Sequence, residues 1–177
     1  MIAAAVPPVI GLAAPSGTGK TTLLRALLPL FKARGLRVGV IKHTHHDVEM
    51  DCPGKDSYEI RMAGADQVML GARRRWILVG EVRHEAEPEL PDLLARLALT
   101  ELDLVLVEGF RRARFPKIAL HRRALGRPLS CPEDGSIIAV ASDAPLAPPR
   151  GIPLLDLNDP PAIAAFILAR CFPLQAE

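Results

Sequence analysis

The sequence predicts an α/β protein in which a mostly parallel β-sheet carries helices on both faces. Its predicted strands are nearly continuous apolar runs, of which LVLV at 104–107 is the clearest, and such runs indicate a sheet that is buried on both sides. Several of these runs alternate with segments of helical periodicity, as parallel strands require. A glycine-rich turn at 15–19 separates the first strand from the first helix, which is typical of a phosphate-binding loop.

The first strand and helix are predicted between residues 8 and 35. Residues 8–14 (PVIGLAA) form the apolar run that leads into the turn. The helix is indicated by apolar residues spaced i, i+3, i+4 and i+7, namely Leu24, Leu27, Leu28 and Phe31. Gly35 predicts its end, because glycine readily adopts the left-handed conformation that closes many helices.

The middle of the chain continues the alternation. Apolar runs predict strands at 37–43, 66–72, 75–81 and 102–110. Helical patterns predict a short helix around 57–63, ended by Gly64, and a longer helix over 88–99.

The last third of the chain predicts three short strands and a closing helix. The strands are 117–121, 136–142 and 152–157. Asn158 or Asp159 would cap the helix, whose buried residues would be Ile163, Phe166 and Ile167. No linker or internal repeat divides the sequence, so we expect a single nucleotide-binding domain over residues 1–177.

Composition and charge narrow the class of protein. The chain has 177 residues, 49% of them apolar, and a formal net charge of +2, which gives no electrostatic indication of nucleic-acid or membrane binding. Aromatic residues make up 4% of the chain, which argues against a base-stacking platform for single strands. The three cysteines lack C-x-x-C spacing, which argues for a reducing compartment. The N-terminus lacks the basic start of a signal peptide and no apolar run reaches about 18 residues, so we expect a cytoplasmic protein.

The glycine-rich turn matches the phosphate-loop pattern G-x-x-x-x-G-K-[ST], except that Ala14 replaces the first glycine. Small residues allow successive backbone N–H groups to converge on phosphate oxygens at a helix N-terminus. Lys20 would reach the β- and γ-phosphates, the Thr21 hydroxyl would bind Mg²⁺, and Thr22 would contact the α-phosphate. The predicted phosphate-binding residues are Ser16, Gly17, Thr18, Gly19, Lys20, Thr21 and Thr22.

A nucleotide site of this kind needs an acidic group at the end of a neighbouring strand. Glu108 follows the apolar run 104–107, where it would hold Mg²⁺ directly or orient a water. Asp56, which precedes the predicted helix 57–63, is a second candidate for Mg²⁺ or for positioning the attacking water. Asp103 begins the same strand as Glu108, and its position favours a structural role. The alternative for Glu108 is a surface acid without a ligand.

The segment 41–57 is unusually rich in polar and titratable residues. Lys42 ends the predicted strand 37–43, where it would lie over the phosphates. The residues that follow are His43, His45, His46, Asp47, Glu49, Asp51 and Cys52. We expect a switch-like loop that senses the nucleotide, in which the histidines contact a substrate or exchange protons. Two alternatives stay open: a metal site, although no second cluster completes a tetrahedral set, and a solvated loop without a role.

Two groups of arginines lie beside predicted strands. Arg111, Arg112 and Arg114 follow Glu108 directly, at the edge where open α/β sheets bind their ligands. They would clamp a second anionic substrate or form a solvated surface. The arginines at 73–75, between two predicted strands, favour a solvated surface.

Five segments, in this order and spacing, resemble the molybdopterin-guanine dinucleotide biosynthesis protein B family: SGTGKTTLL, KHTHHD, PGKDSYE, VEGF and IAVASD. The resemblance runs from about residue 9 to about residue 170, which is nearly the whole chain. KHTHHD followed by PGKDS is its specific part, because a phosphate loop alone fits many families. The resemblance implies a P-loop NTPase fold similar to the GTPases of the signal-recognition class.

The resemblance also implies an activity and its partners. Members of the family are homodimers that bind GTP, hydrolyse it slowly and assist a partner nucleotidyltransferase, which attaches GMP to molybdopterin during molybdenum cofactor maturation. Lys20, Lys42 and Asp56 are the predicted catalytic residues. Mg²⁺ would be held by Thr21, Asp56 and Glu108. His43, His45 and His46 would face the pterin partner or the γ-phosphate.

Guanine specificity rests on the resemblance, since the sequence contains no N-K-x-D motif. Asp143, at the end of the predicted strand 136–142, would accept hydrogen bonds from guanine N1 and N2, because a carboxylate suits that pair of donors. Residue chemistry alone predicts a nucleoside triphosphate and does not choose its base.

Three other functions fit part of the pattern. A dethiobiotin-synthetase-like enzyme shares the outline of Lys42, Asp56 and Glu108, but FRRAR follows VEG where a glycine-rich continuation is expected, and HTHH has no counterpart. A small-molecule kinase would need an arginine-rich lid, for which the sequence shows no clear segment. A metal-delivery GTPase would bind metal at 43–47, and stoichiometric metal binding there would favour it.

Overall fold

The computed structural model of the chain describes residues 6–44, 48–49, 51–82, 86–129 and 135–173. Its strands are β1 Val9–Ala13, β2 Val38–Lys42, β3 Gln67–Ala72, β4 Arg75–Gly80, β5 Leu104–Glu108, β6 Lys117–His121, β7 Ile137–Ser142 and β8 Leu154–Asp156. Its α-helices are α1 Lys20–Lys32, α2 Asp56–Met62, α3 Leu90–Ala95 and α4 Pro160–Cys171, and short 3₁₀ turns cover Leu99–Glu101 and Arg123–Leu125. Within these described ranges, every helix is too short or too polar to cross a lipid bilayer.

The chain divides into two compact units, one formed by Met1–His43 with Glu89–Glu177 and the other by Thr44–Pro88. The first unit contains a six-stranded sheet in the order β2-β5-β1-β6-β7-β8, and each strand is parallel to its neighbours. This sheet and the helices on its two faces confirm the predicted α/β class. That the whole chain acts as one nucleotide-binding domain remains a prediction.

The interior strand β5 explains the clearest apolar run of the sequence. All of its residues are buried, and it pairs with β2 on one side and β1 on the other. Leu104 and Leu106 belong to one apolar cluster, whereas Val105 and Val107 belong to a second. Because successive side chains of a strand point to opposite faces, an uninterrupted apolar run fits a strand that is covered on both faces.

Helices α1 and α4 cover one face of the sheet and pack against each other. α4 begins after Asp159, whose carboxylate accepts a hydrogen bond from the N–H of Ala162 at 3.0 Å, so the capping prediction is confirmed for this residue. The buried residues of α4 are Ile163, Ala164 and Ile167. Phe166, which is also predicted to be buried, is only partly buried and packs against the same apolar cluster.

Helix α3 and several loop side chains cover the other face. Leu90 of α3 packs with the second cluster of β5, while loop residues cover β6 and β7. α3 ends at Ala95, earlier than predicted, and the chain then turns so that Leu102 reaches Gly39 on β2. A side chain at position 39 would come within 2.6 Å of Leu102 Cδ1, so it would fit only if the Leu102 side chain shifted.

The second unit consists of α2 and a β-hairpin. β3 and β4 pair antiparallel along their whole length and form a sheet of their own. The sequence predicts both strands but not their separation from the main sheet. The reason is the connection, since two residues, Arg73 and Arg74, allow a hairpin and are far too few for a parallel crossover.

The Asp103 carboxylate makes stability depend on pH in the acid range. It accepts hydrogen bonds from Nε and Nη2 of Arg37 at 3.1 and 2.9 Å and from the backbone N–H of Arg37 at 2.7 Å. These contacts, the guanidinium's above all, lower the pKa of Asp103 from 3.8 to about 2. A depressed pKa stabilises the folded state only while the carboxylate is charged. The contribution is therefore complete above the unfolded-state pKa and is lost as the pH falls through the folded-state pKa.

Asp103→Asn should lower the free energy of unfolding near neutral pH, and this difference from wild type should shrink between about pH 4 and about pH 2. Denaturant unfolding of both proteins across this range measures it. Asp92→Asn, which removes an exposed carboxylate from α3, is the matched control and should give a much smaller difference. A difference for Asp103→Asn that persists unchanged down to about pH 2 would contradict this assignment.

Candidate functional site

The carboxyl ends of neighbouring parallel strands bring several predicted site residues to one edge of the sheet. The phosphate loop, residues 14–19, follows β1, and Lys42 ends β2. Glu108 ends β5, and Asp143 follows β7. Open α/β sheets bind their ligands at this edge, so four separate segments of the sequence meet where a ligand is expected.

The phosphate loop uses glycine where its backbone is left-handed. Gly17 and Gly19 have φ angles of +83° and +102°, which side chains rarely allow. Ala14, which stands at the first glycine position of the motif, is not among the residues of positive φ, and its methyl group is buried in the core. Position 14 therefore needs a small residue but no glycine, which accounts for the departure from the motif.

Lys20, the first residue of α1, folds back over the loop. Its ammonium donates hydrogen bonds to the carbonyls of Ala14 at 3.1 Å and Pro15 at 3.0 Å. Partial burial lowers its pKa, Glu108 partly offsets this by favouring the charged form, and Arg111 and Lys42 lower it further. The ammonium is thus partly desolvated, and an anion such as a phosphate would stabilise its charged form.

The Thr21 hydroxyl lies against the Glu108 carboxylate. Its oxygen is 3.0 and 2.9 Å from the two carboxylate oxygens, so it donates to this buried group. Lys42 lies beside Glu108 in the register of β2 and β5. Mg²⁺ prefers oxygen ligands and commonly takes one or two from the protein while phosphates and water supply the rest. A threonine hydroxyl and a carboxylate next to a phosphate loop fit that ion.

The turn after Glu108 is strained and interlocks with the end of β2. Phe110 has a φ of +50°, and among the described residues no other non-glycine residue has a positive φ. Its ring stacks on His43, with centroids 4.5 Å apart, while the His43 N–H donates to the Glu108 carbonyl at 2.8 Å. A side chain at Gly109 would lie 2.7 Å from His43 Cβ. Such strain is common at functional sites, and here it borders the carboxylate that fits Mg²⁺.

Lys117 is a fully buried lysine that the sequence does not indicate as a site residue. Its ammonium donates to the carbonyl of Arg111 at 3.2 Å and to that of Ala113, and it lies 4.9 Å from the centroid of the Phe115 ring. It therefore holds the arginine-bearing loop that follows Glu108. The only signal in the sequence is a charged residue in an apolar strand, and taken alone that pattern does not distinguish a buried lysine from an edge residue.

Asp143 lies in a second polar cluster at the edge of the sheet. Its carboxylate accepts a hydrogen bond from the backbone N–H of Arg123 at 2.9 Å and pairs with the guanidinium of Arg122 at 3.3 Å. Arg122 also donates from Nε to the carbonyl of Thr18 in the phosphate loop at 3.2 Å. Arg122 could not be predicted from the sequence, because nothing in its spacing links it to the loop 104 residues earlier.

Other predicted site residues have contacts or surroundings of their own. The Thr18 hydroxyl donates to the Pro15 carbonyl at 2.9 Å, so this side chain is engaged within the loop and its backbone N–H is the group left to contact a phosphate. Ser16 and Thr22 are exposed, in the loop and in the first turn of α1. Asp56 is exposed at the start of α2, in the second unit.

The polar segment after β2 is only partly described. His45, His46 and Asp47 lie outside the described residues. Glu49 pairs with Arg61 at 2.7 Å, and Asp51 accepts a hydrogen bond from the Ser57 hydroxyl at 2.9 Å, so both carboxylates have structural partners in the second unit. Among the residues whose placement is described, histidine, cysteine and acidic side chains form no group of three suited to a metal ion.

Comparisons with known proteins point to one family. The profile of molybdopterin guanine dinucleotide synthesis protein B matches residues 9–143. The molybdopterin-guanine dinucleotide biosynthesis adapter protein of Escherichia coli K12 is 49% identical over 162 residues, which cover 91% of each chain. The adapter protein of Haemophilus influenzae is 46% identical and covers 90% of this chain and 87% of its own.

Solved structures agree with the sequence comparisons. A crystal structure of molybdopterin-guanine biosynthesis protein B superposes with a TM-score of 0.69 at 27% identity, covering 92% of this chain and 99% of that one. The MobB homologue of Bacillus stearothermophilus gives a TM-score of 0.66 at 26% identity, over 92% and 97% of the two chains. These matches favour the main functional interpretation over the synthetase, kinase and metal-delivery alternatives. The chain belongs to the molybdopterin-guanine dinucleotide biosynthesis protein B family.

Proposed function

We propose that this chain is an adapter protein of molybdopterin-guanine dinucleotide biosynthesis that acts by binding Mg²⁺ and GTP at its phosphate loop. The observation that carries the nucleotide site is the contact of Thr21 with Glu108 beside Lys20. The names of its relatives supply the biosynthetic role.

Different residues of the loop would contact different parts of the triphosphate. The backbone N–H groups of 16–19 and the N-terminus of α1 would bind phosphate oxygens. Lys20 would exchange the carbonyls of Ala14 and Pro15 for the β- and γ-phosphates, and Thr22 would contact the α-phosphate. Thr21 and Glu108 would hold Mg²⁺, which neutralises phosphate charge when bound.

Hydrolysis in this proposal is slow and secondary to binding. Lys42, beside Glu108 in the sheet, would stabilise charge on the phosphates, and Asp56 would position the attacking water or add a ligand to Mg²⁺. The segment 43–57 would order on the γ-phosphate and relax after hydrolysis, a switch that GTP-binding proteins commonly use. The stack of His43 on Phe110 would pass that change to the turn beside Glu108.

The same edge of the sheet would face the partner. Arg111, Arg112 and Arg114 follow Glu108, and Lys117 holds their loop by its carbonyls. These cations, together with the segment that contains His43, His45 and His46, would receive the phosphate of molybdopterin or an acidic surface of the nucleotidyltransferase that attaches GMP to it.

The exposed surface of the second unit would form the contact between two copies of the chain in a homodimer. The hairpin exposes a group of large apolar side chains: Met69, Leu70, Trp76, Ile77 and Leu78. Trp76 is 58% exposed, and exposed apolar patches of this kind mark interaction sites. The proposed compartment is the cytoplasm, where Cys52 and Cys171 would remain the free thiols that the structure shows.

Asp143 would select guanine, and replacing its carboxylate with an amide tests that role. Asp143→Asn should weaken Mg²⁺-dependent GTP binding by about 30-fold, because a carboxylate that accepts from N1 and N2 is lost, and should improve binding of xanthosine triphosphate. Calorimetric titration of the variant and of wild type with GTP and with xanthosine triphosphate measures both affinities. Asp156→Asn, at the end of the neighbouring strand β8, is the control. Unchanged GTP affinity in Asp143→Asn would remove the guanine assignment.

A further inference from the structure

Arg122 lies between the phosphate loop and the carboxylate proposed to read the base. Its Nε donates to the carbonyl of Thr18 at 3.2 Å, and its Nη1 lies 3.3 Å from Oδ2 of Asp143. About a third of the Arg122 side chain is exposed and Asp143 is less exposed, so this bridge is partly shielded from water. One guanidinium thus touches both halves of the candidate nucleotide site.

The contact with Thr18 fixes the direction of one peptide group in the loop. A trans peptide is planar, and its C=O and N–H point in opposite directions. Because Arg122 holds the Thr18 carbonyl, the N–H of Gly19 points away from Arg122. A side chain at Gly19 would lie 3.3 Å from Arg122 Nη2, so the guanidinium packs directly on this peptide. Arg122 therefore presets a backbone donor of the phosphate loop.

The contact with Asp143 holds the guanidinium of Arg122 at the half of the candidate site proposed to bind the base. Oδ1 of Asp143 accepts from the backbone N–H of Arg123 at 2.9 Å, and Oδ2 faces Arg122. A carboxylate has about four lone-pair positions, so Asp143 keeps acceptor capacity for a base. A base that binds there would act on the same guanidinium that holds the Thr18 carbonyl.

We propose that Arg122 is a positioning residue that couples base recognition at Asp143 to phosphate binding at the loop. The base half of this statement rests on the proposed function, in which Asp143 reads guanine. The phosphate half does not, because it concerns only how Arg122, anchored by Asp143, holds the peptide of Thr18 and Gly19. Asp143 then has two roles: it contacts the base, and it anchors the arginine that presets the loop.

Inorganic tripolyphosphate with Mg²⁺ separates this coupling from simple electrostatics, because it has no base. Removing the Asp143 charge should strengthen or leave unchanged the binding of an anion if charge alone matters. Coupling predicts the opposite sign. Asp143→Asn should weaken Mg²⁺-tripolyphosphate binding about fivefold to tenfold, since Arg122 loses a charge-assisted contact that holds it on the loop.

Three further variants complete the test by calorimetry. Arg122→Lys keeps the positive charge but loses the planar fork, and it should weaken tripolyphosphate binding by a similar factor. The double variant Arg122→Lys, Asp143→Asn should lose little beyond either single change, because both act through one contact. Arg123→Gln removes a neighbouring positive charge but keeps the backbone N–H that binds Asp143, so it should retain most of the affinity.

The outcomes distinguish this inference from the proposed function. Equal or tighter tripolyphosphate binding in Asp143→Asn would overturn the coupling, as would Arg122→Lys binding like wild type. A wild-type protein that fails to bind tripolyphosphate would also overturn it, since a preset loop is its premise. Weakened tripolyphosphate binding in both variants supports the phosphate half of the inference, the positioning of the loop by Arg122 and Asp143, even if wild type shows no preference for GTP, in which case the guanine assignment and the base half fail.

Discussion

Lys20→Ala should weaken binding of Mg²⁺-GTP by about 100-fold or more. The ammonium now held by the carbonyls of Ala14 and Pro15 would contact two phosphates, and charge-assisted contacts of this kind contribute about 1.5–3 kcal/mol each. Partial burial already lowers the pKa of Lys20, so its removal should leave the free energy of unfolding nearly unchanged or slightly higher. Calorimetric titration measures the affinity, and thermal unfolding checks the fold.

Lys32→Ala is the matched control for this change. It removes the same charge from the same helix, but at the last turn of α1, far from the loop. The control should retain GTP affinity within a factor of about two, because surface charges at that distance are largely screened. If Lys20→Ala binds GTP as Lys32→Ala does, the glycine-rich turn is not the phosphate site.

Glu108→Gln should weaken GTP binding when Mg²⁺ is present and strengthen it when Mg²⁺ is removed. With Mg²⁺ present, GTP binding should weaken by about tenfold to 100-fold, because a charged ligand of the ion is lost while the shape of the side chain is kept. With the metal chelated, the same variant should bind GTP more tightly than wild type, since a buried carboxylate no longer repels the triphosphate. Titrations with Mg²⁺ and with excess EDTA measure both arms.

Glu101→Gln serves as the control for Glu108→Gln. Glu101 is an exposed acid in the 3₁₀ turn that precedes the same strand, so its neutralisation should change neither arm appreciably. Glu108→Gln that binds GTP equally well with and without Mg²⁺, at wild-type affinity, would show that this carboxylate does not hold the ion.

The sequence predicts the elements of the fold because local signals and tertiary packing agree. The apolar run of β5 is buried on both faces, and Asp159 caps α4 as its side chain favours. The hairpin shows the limit of such signals. Periodicity indicates two strands at 66–81 but carries no information on which sheet they join, which follows from the two-residue connection.

Some residues of the candidate site could likewise be predicted from the sequence, and others could not. A motif whose residues are consecutive, such as the phosphate loop, is visible in the sequence because its chemistry depends on fixed spacing. Glu108 could be predicted as well, since the end of a buried strand is a position with geometric meaning. Arg122 and Lys117 could not, because their partners are backbone carbonyls, which every residue has. Only the folded chain shows which carbonyls they meet.

Calorimetric titration of the wild-type protein with Mg²⁺-GTP and, separately, with Mg²⁺-ATP tests the central claim most directly. We expect saturable binding of GTP, tighter than that of ATP by about tenfold or more, because Asp143 would accept hydrogen bonds from donors that guanine has at N1 and N2 and adenine lacks there. Equal affinity for the two nucleotides, or tighter binding of ATP, would contradict the assignment of this chain as a GTP-binding adapter.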